Sequence, residues 1–276
     1  MMALQIAGEG GDVAAWDRDE RGLQALLSEV AARELPGAVC AQVVDLSSRD
    51  NIDAAVGCVL ETHPRVAAAG AAGGAGGVAL AGFAAGWPGR VDVLVNNAGI
   101  VSGKPFLECS DRQVDLTMAV NAMAPIWLTK RLLPGMLERG SGSVVTVASA
   151  AGLQGVATLV DYCASKHAAV GFMEALRSEL KRGSSRVRTT LICPYYIDTG
   201  MFEGVKTRVP LLLPIMRPEL VARRIVRASA RAEELVLLPG FVRTSWLLRF
   251  LFPTSVCDVM LRLLGITASM DDFKGR

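Results

Sequence analysis

The sequence predicts a doubly wound α/β fold, in which a parallel sheet lies between two layers of helices. Short runs rich in valine and other apolar residues recur along the 276 residues. These runs are continuously apolar rather than alternating, and stretches with helical periodicity separate them. A strand that is apolar on both faces belongs in a sheet covered on both sides, and such sheets are parallel.

Taken in order, "ALQIAGEGG" (Ala3–Gly11) reads as the end of a helix and its turn. The expected strands are "DVAAW" (Asp12–Trp16), "AVCAQVV" (Ala38–Val44), "VDVLV" (Val91–Val95), "SVVTVA" (Ser143–Ala148), "VRTTLI" (Val187–Ile192) and "ELVLL" (Glu234–Leu238). Helical patterns run near residues 19–34, 49–62, 111–138, 159–182 and 217–232. The stretch from Pro64 to Gly89 is almost all alanine and glycine, and it reads as a flexible surface insertion. Gly70, Gly74 and Gly76 spell a phosphate-loop pattern there. A real phosphate loop follows a strand, opens a helix and has a matching acidic residue roughly 20 positions on; no strand precedes this one and the matching acidic residue lies far upstream, so the pattern is read as a product of composition.

Composition narrows the function. Half the chain is apolar (51%) and the net charge is +2, with arginines scattered rather than striped, so no nucleic-acid groove is expected. The six cysteines form no CxxC pair and read as reduced thiols. His63 and His167 lie far apart in the chain, and no metal site is expected. The first twenty residues lack the charged and apolar regions of a signal peptide. No apolar run of about 18 residues suggests a membrane span.

The chemistry concentrates in "YCASK". Tyr162 and Lys166 are four residues apart, which places them on one face of a helix. A phenol titrates near pH ~10, too high for a good base at neutrality, and a neighbouring ammonium favours the phenolate. Thirteen residues before Tyr162 the strand "SVVTVAS" ends in Ser149. A hydroxyl there sits on the edge where doubly wound sheets bind ligands. The same edge receives "NNAG" (Asn96–Gly99) after the preceding strand and "CPYYIDT" (Cys193–Thr199) after the following one. Asn121 stands inside a helical pattern, where a side chain that competes for backbone hydrogen bonds is unusual.

This constellation resembles the short-chain dehydrogenase/reductase family, over nearly the whole chain except its start. The resemblance implies that Tyr162 is the general acid/base, that Lys166 lowers its pKa and holds the nicotinamide ribose, and that Ser149 hydrogen-bonds the substrate oxygen. Asn121 would orient a water in the proton relay. Asn97, Ala98 and Gly99 would pack beside the adenine ribose. Pro194, Ile197 and Thr199 would line the nicotinamide end, with Thr199 and the Ile197 backbone on its carboxamide. Asp17 ends the strand whose acidic residue bonds the ribose 2′-hydroxyl, which favours NAD, while Arg18 leaves NADP as the alternative. Asp45 and Leu46 match an adenine-contacting pair, or simply cap a strand end.

Residues 1–242 then form the dinucleotide-binding domain, lacking the first strand and glycine-rich loop of the full fold. Gly8, Gly10 and Gly11 leave no room for a crossover helix before Asp17 and are not that loop. A truncated, catalytically impaired relative that dimerises or acts as a regulatory binding module is the alternative reading. Residues 243–276 form an apolar segment, "SWLLRFLFPTSVCDVMLRLLGI", interrupted by Arg249, Pro253, Asp258 and Arg262. It suits a substrate lid or an interfacial helix, or a helix in a subunit interface. The stretches "CPYYIDTGMFEG", "LLLPIMRPELVARRIV" and the late "MDDF" are similar, more loosely, to retinol and hydroxysteroid dehydrogenases, which implies a lipophilic alcohol or ketone. The same resemblance also implies a homodimer and a peripheral place on the cytoplasmic side of the endoplasmic reticulum or a lipid droplet.

Overall fold

The computed structural model describes residues 1–61, 79–81, 87 and 89–274. Six strands fall where the sequence places them: β1 (Val13–Asp17), β2 (Val39–Val43), β4 (Val93–Asn96), β5 (Ser143–Val147), β6 (Arg188–Pro194) and β7 (Leu235–Leu238). A further short strand, β3 (Ala79–Ala81), pairs antiparallel with β2 inside the alanine-glycine stretch read as a flexible insertion. Small residues carry little strand signal, which is why this element was not expected. Most of that stretch, including Gly70, Gly74 and Gly76, lies outside the described residues.

The strands form two sheets, of order β1-β2-β3 and β4-β5-β6-β7. All pairs except β2 with β3 are parallel. Every residue of β5 is buried, the signature of a strand covered on both faces. Among the described residues β1 and β4 are not hydrogen-bonded to each other. Side chains join the two halves instead. Ile52, Val56 and Val59 share one core with Leu94, Leu128, Leu132 and Val144, and Arg131 grips Asp53 through two hydrogen bonds of 2.8 and 2.9 Å.

The helices are α1 (Met2–Gly8), α2 (Glu20–Ala32), α3 (Arg49–Leu60), α4 (Asp111–Met118), α5 (Ala124–Glu138), α6 (Val160–Arg182), α7 (Pro218–Ala230), α8 (Phe241–Leu251) and α9 (Thr254–Leu263). Their starts are encoded locally. Ser48 caps α3, Ser110 and Gln113 form a capping box on α4, and Pro218 opens α7. The single helix expected over 111–138 is interrupted by a π-helical turn, Ala119–Met123, which contains Asn121. The apolar C-terminal segment has no core of its own, because Val242 and Ile266 are buried in the main one. No helix among the described residues is long and apolar enough to cross a membrane.

Candidate active site

Strand order reverses between β1 and β4, since the chain proceeds from β1 toward β2 on one side and from β4 toward β5 on the other. Ligands of doubly wound folds bind outside the carboxyl ends of the strands at such a point. A cleft of about 620 Å³ opens there. It is bordered by Asp17 after β1, Asp45 and Leu46 after β2, Asn97, Ala98 and Gly99 after β4, Ser149 after β5, and Pro194, Ile197 and Thr199 after β6. Tyr162 and Lys166 of α6 complete it. Of the residues expected from sequence, only Asn121 stands behind the cleft rather than in its wall.

Tyr162 and Lys166 are both buried, 4% exposed each. The Lys166 ammonium lies 5.7 Å from the Tyr162 ring centre and donates to the Val147 carbonyl at 3.1 Å. The expected depression of the tyrosine pKa by this ammonium is not what the structure shows. Burial pushes the phenol above its ordinary value, and hydrogen bonding with Ser149 offsets part of that rise. The ammonium bears the cost of the same enclosure, and burial pushes Lys166 down to about 8. The side chain of Lys166 is thus titratable near neutrality, while Tyr162 holds its proton firmly. Ser149 also accepts from the Ala151 amide at 3.1 Å, which fixes its hydroxyl at the end of β5.

Asn121 clamps backbone. Its Oδ1 accepts from the Ile100 amide at 2.8 Å, and its Nδ2 donates to the Ile100 carbonyl at 2.9 Å and to Ser165 Oγ at 3.0 Å. The π turn delivers this side chain to the loop after β4. Gly99 sits in the angle so made. A Cβ there would lie in van der Waals contact with Lys166 Nζ at 3.4 Å and Asn121 Oδ1 at 3.6 Å, space that the glycine leaves open.

At the other end, the Asp17 side chain is exposed and accepts from the Asp19 amide at 3.0 Å. Asp45 accepts from the Ser47 amide at 2.9 Å and hydroxyl at 2.7 Å, and these bonds hold its carboxyl below the usual range. Both features of Asp45 are therefore present, a strand-end cap and a place in the cleft wall. The turn holding Gly10 and Gly11 lies between α1 and the start of β1, at the opposite end of the strand from the cleft. Among the described residues no group of three or more histidines, cysteines or carboxylates could share a metal ion.

The cleft also has walls that sequence reasoning did not name as site residues: Leu153, Val156, Phe202 and Leu213. Tyr196 lies in the stretch expected at this edge, and Trp246 and Ile266 in the apolar segment expected as a substrate lid or interfacial helix.

A donor-lined crevice at a switch point, with a tyrosine-lysine pair on one helix and a serine on the adjoining strand end, has counterparts among known proteins. Residues 77–209 match the short chain dehydrogenase family model. The chain is 41% identical over 186 residues to short-chain dehydrogenase/reductase family 16C member 6 of Bos taurus, covering 67% of this chain and 59% of that protein. It is 39% identical over 189 residues to epidermal retinol dehydrogenase 2 of Mus musculus, covering 68% and 61%. With retinol dehydrogenase 10 of Homo sapiens it shares 41% identity over 188 residues, 67% of this chain and 55% of that protein. The chain thus spans between 55% and 61% of the length of these three relatives. Among solved structures, the fold matches a short-chain dehydrogenase from Sphingobium yanoikuyae in complex with NADPH, with a TM-score of 0.69 and 21% identity over 94% of this chain and 89% of that one. A metagenomic short-chain oxidoreductase in complex with NADP matches with a TM-score of 0.61 and 25% identity over 86% and 88%. On these grounds of sequence, fold and site together, the chain belongs to the short-chain dehydrogenase/reductase family.

Proposed function

We propose that this protein interconverts a lipophilic alcohol and its carbonyl, with a nicotinamide dinucleotide as hydride carrier. The observation that carries the reading is the buried Tyr162, lining one cleft with Ser149 and sharing a helix face with Lys166, while the far end of that cleft presents Asp17. The names of the relatives, retinol dehydrogenases, support the alcohol class.

The residues present fit the cofactor in stated places. Asp17 offers a carboxylate to ribose hydroxyls, Asp45 and Leu46 border the adenine end, and the bare floor at Gly99 leaves room beside Asn97 and Ala98. Pro194, Ile197 and Thr199 stand at the nicotinamide end, and Lys166 supplies a donor between the two. The nicotinamide ring supplies the hydride acceptor or donor when bound. Asp17 favours NAD, and Arg18 beside it is the group that would receive a 2′-phosphate.

The protein's own chemistry is proton transfer at the Tyr162 hydroxyl. Burial holds the Tyr162 pKa up, and in reduction the phenol gives its proton to the carbonyl oxygen as that oxygen develops negative charge. In the reverse direction it becomes a base only when positive charge is brought close. Lys166 is the one ammonium of this wall, and a further cation bound near it would add to its effect. Ser149 fixes the oxygen that gives or takes the proton. Asn121 acts one layer back, by holding Ile100 and thereby the cleft floor.

Apolar walls indicate the substrate class. Trp246 lines the cleft, and its ring packs edge-on at 5.4 Å against Phe250, which is 70% exposed. Apolar rings thus extend from the cleft wall to the protein surface. The exposed apolar residues of α8 and α9, interleaved with Arg243, Arg249 and Arg262, form a surface for peripheral contact with a lipid bilayer.

The test is Tyr162→Phe, assayed with all-trans-retinol and with a long-chain alcohol. The ring still packs, so dinucleotide affinity should stay within about twofold. Turnover should fall by roughly 10²–10⁴, the usual contribution of a positioned acid or base. Turnover equal to that of the wild type would remove Tyr162 from the chemistry, and a wild type that binds dinucleotide without turning over either alcohol would return the binding-module reading.

A further inference from the structure

Beside Tyr162, the loop after β6 is laced to the last described residues of the chain. The Lys206 amide donates to the Ser269 carbonyl at 3.3 Å, and the Lys274 amide to the Glu203 carbonyl at 3.0 Å. The Tyr196 and Ser269 hydroxyls share a hydrogen bond of 3.0 Å, and Lys206 pairs with Asp272 at 2.7 Å. Met270 and Ser269 are buried although they belong to no helix or strand.

This strap lies on two glycines with positive φ. A Cβ at Gly103 (φ +63°) would overlap the Phe273 ring, and one at Gly204 (φ +88°) would overlap the Asp272 carbonyl. The strap ends in a stack of rings that reaches the site. Phe273 meets Phe202 at 6.4 Å, and Phe202 stands edge-on to Tyr162 at 5.8 Å and to Tyr196 at 5.0 Å. Phe202 also lines the cleft. A ring fixed at that distance decides how much carbon fits beside the reacting oxygen.

We propose that Phe202 is the residue that limits the bulk of the alcohol admitted next to Tyr162, and that the strap Ser269–Phe273 is what holds it in place. Phe273 is then a positioning residue, acting through Phe202. The proposal rests on the dehydrogenase reading for the identity of the ligand, but the geometry is independent of turnover. A single methylene in an apolar pocket changes discrimination by about 10–200-fold, so moving a whole ring is readily measured.

The experiment uses the full chain with NADH present, so that added alcohols bind without being oxidised. Nile red held in the cleft is displaced by linear alcohols of increasing length and by alcohols branched next to the hydroxyl. Phe202→Ala should improve displacement by branched alcohols at least roughly tenfold while leaving short linear ones unchanged. Phe273→Ala should reproduce much of that gain and speed hydrogen exchange at the Lys206 and Lys274 amides. Phe273→Leu, which keeps an apolar filler and the fold, should give an intermediate result. An unaltered length and branching profile in Phe202→Ala overturns the gate. Unaltered exchange and displacement in Phe273→Ala overturn the strap. If the wild type transfers no hydride while the displacement shifts occur, the dehydrogenase reading fails and the gate is upheld.

Discussion

At the scale of single residues, the site sets function against stability at Lys166. Its ammonium is enclosed, and burial lowers its pKa from 10.5 to about 8. Below about pH 8 the folded protein carries the full cost of charging it. Between about 8 and 10.5 the unfolded chain binds more protons than the folded one, so this group's contribution to stability rises with pH across that window. The shift corresponds to about 3 kcal/mol. Lys166→Met replaces the charge with a side chain of similar length and gives up one hydrogen bond to Val147. We therefore expect this variant to be inactive yet to melt roughly 4 °C higher than the wild type at pH 7. Its lead should shrink as pH rises through 8 and beyond. Paired melting curves at pH 7 and 9.5 check this, and a lead that is the same at both would show that Lys166 is not buried as a charge. Tyr162, Lys166 and Ser149 were legible in sequence because a helix turn and a strand end place them by local geometry alone. Phe202 and Phe273 were not, since contacts between distant loops leave no period to read.

At the scale of elements, a β-branched run, a capping serine or a Pro at a helix start is local chemistry, and six strands and the main helices followed from it. The exceptions have physical causes. The π turn at Ala119–Met123 exists because Asn121 must reach Ile100, a tertiary demand that does not alter the apolar spacing of the helix around it. The ends of the chain differ in kind: α8 and α9 bury Val242 and nearby Ile266 but leave Leu247, Phe250, Leu251, Val259 and Leu263 more than half exposed. Replacing Leu247, Leu251 and Leu263 together by serine removes exposed apolar area and leaves the Trp246–Phe250 contact beside the cleft in place. The triple variant should melt within about 5 °C of the wild type, since exposed substitutions are usually worth within about ±0.5 kcal/mol each. Flotation with vesicles of phosphatidylcholine and phosphatidylserine should show the wild type on the membrane and the variant largely in solution. Equal flotation of both would mean that this face has another partner.

At the scale of the whole molecule, the two sheets share a core but, among the described residues, no ladder of backbone hydrogen bonds. The doubly wound class was legible because each half follows its rules separately. How the halves are joined was not legible, because packing between α3 and α5 is set by side chains far apart in sequence. Edge strands expose alternate amides, so β1 and β4 should exchange hydrogen faster than β5 and β6, which are paired on both sides. The cleft crosses this same boundary. Asp17 and Asp45 stand on the three-stranded half, and Ser149, Tyr162 and Lys166 on the four-stranded half. A dinucleotide touching both therefore joins them, and its binding energy adds to the coupling between halves. With NADH at about 100 times its Kd, the folded state gains about 2.7 kcal/mol, or roughly 5–10 °C in melting temperature. Exchange at β1 and β4 should slow together, while β6, already paired on both sides, changes little. Asp17→Ala should weaken NADH binding and selectively lose the slowing at β1. If NADH slows exchange in the four-stranded half alone, and Asp17→Ala binds it as the wild type does, the three-stranded half takes no part in cofactor binding and the assignment of Asp17 and Asp45 is wrong.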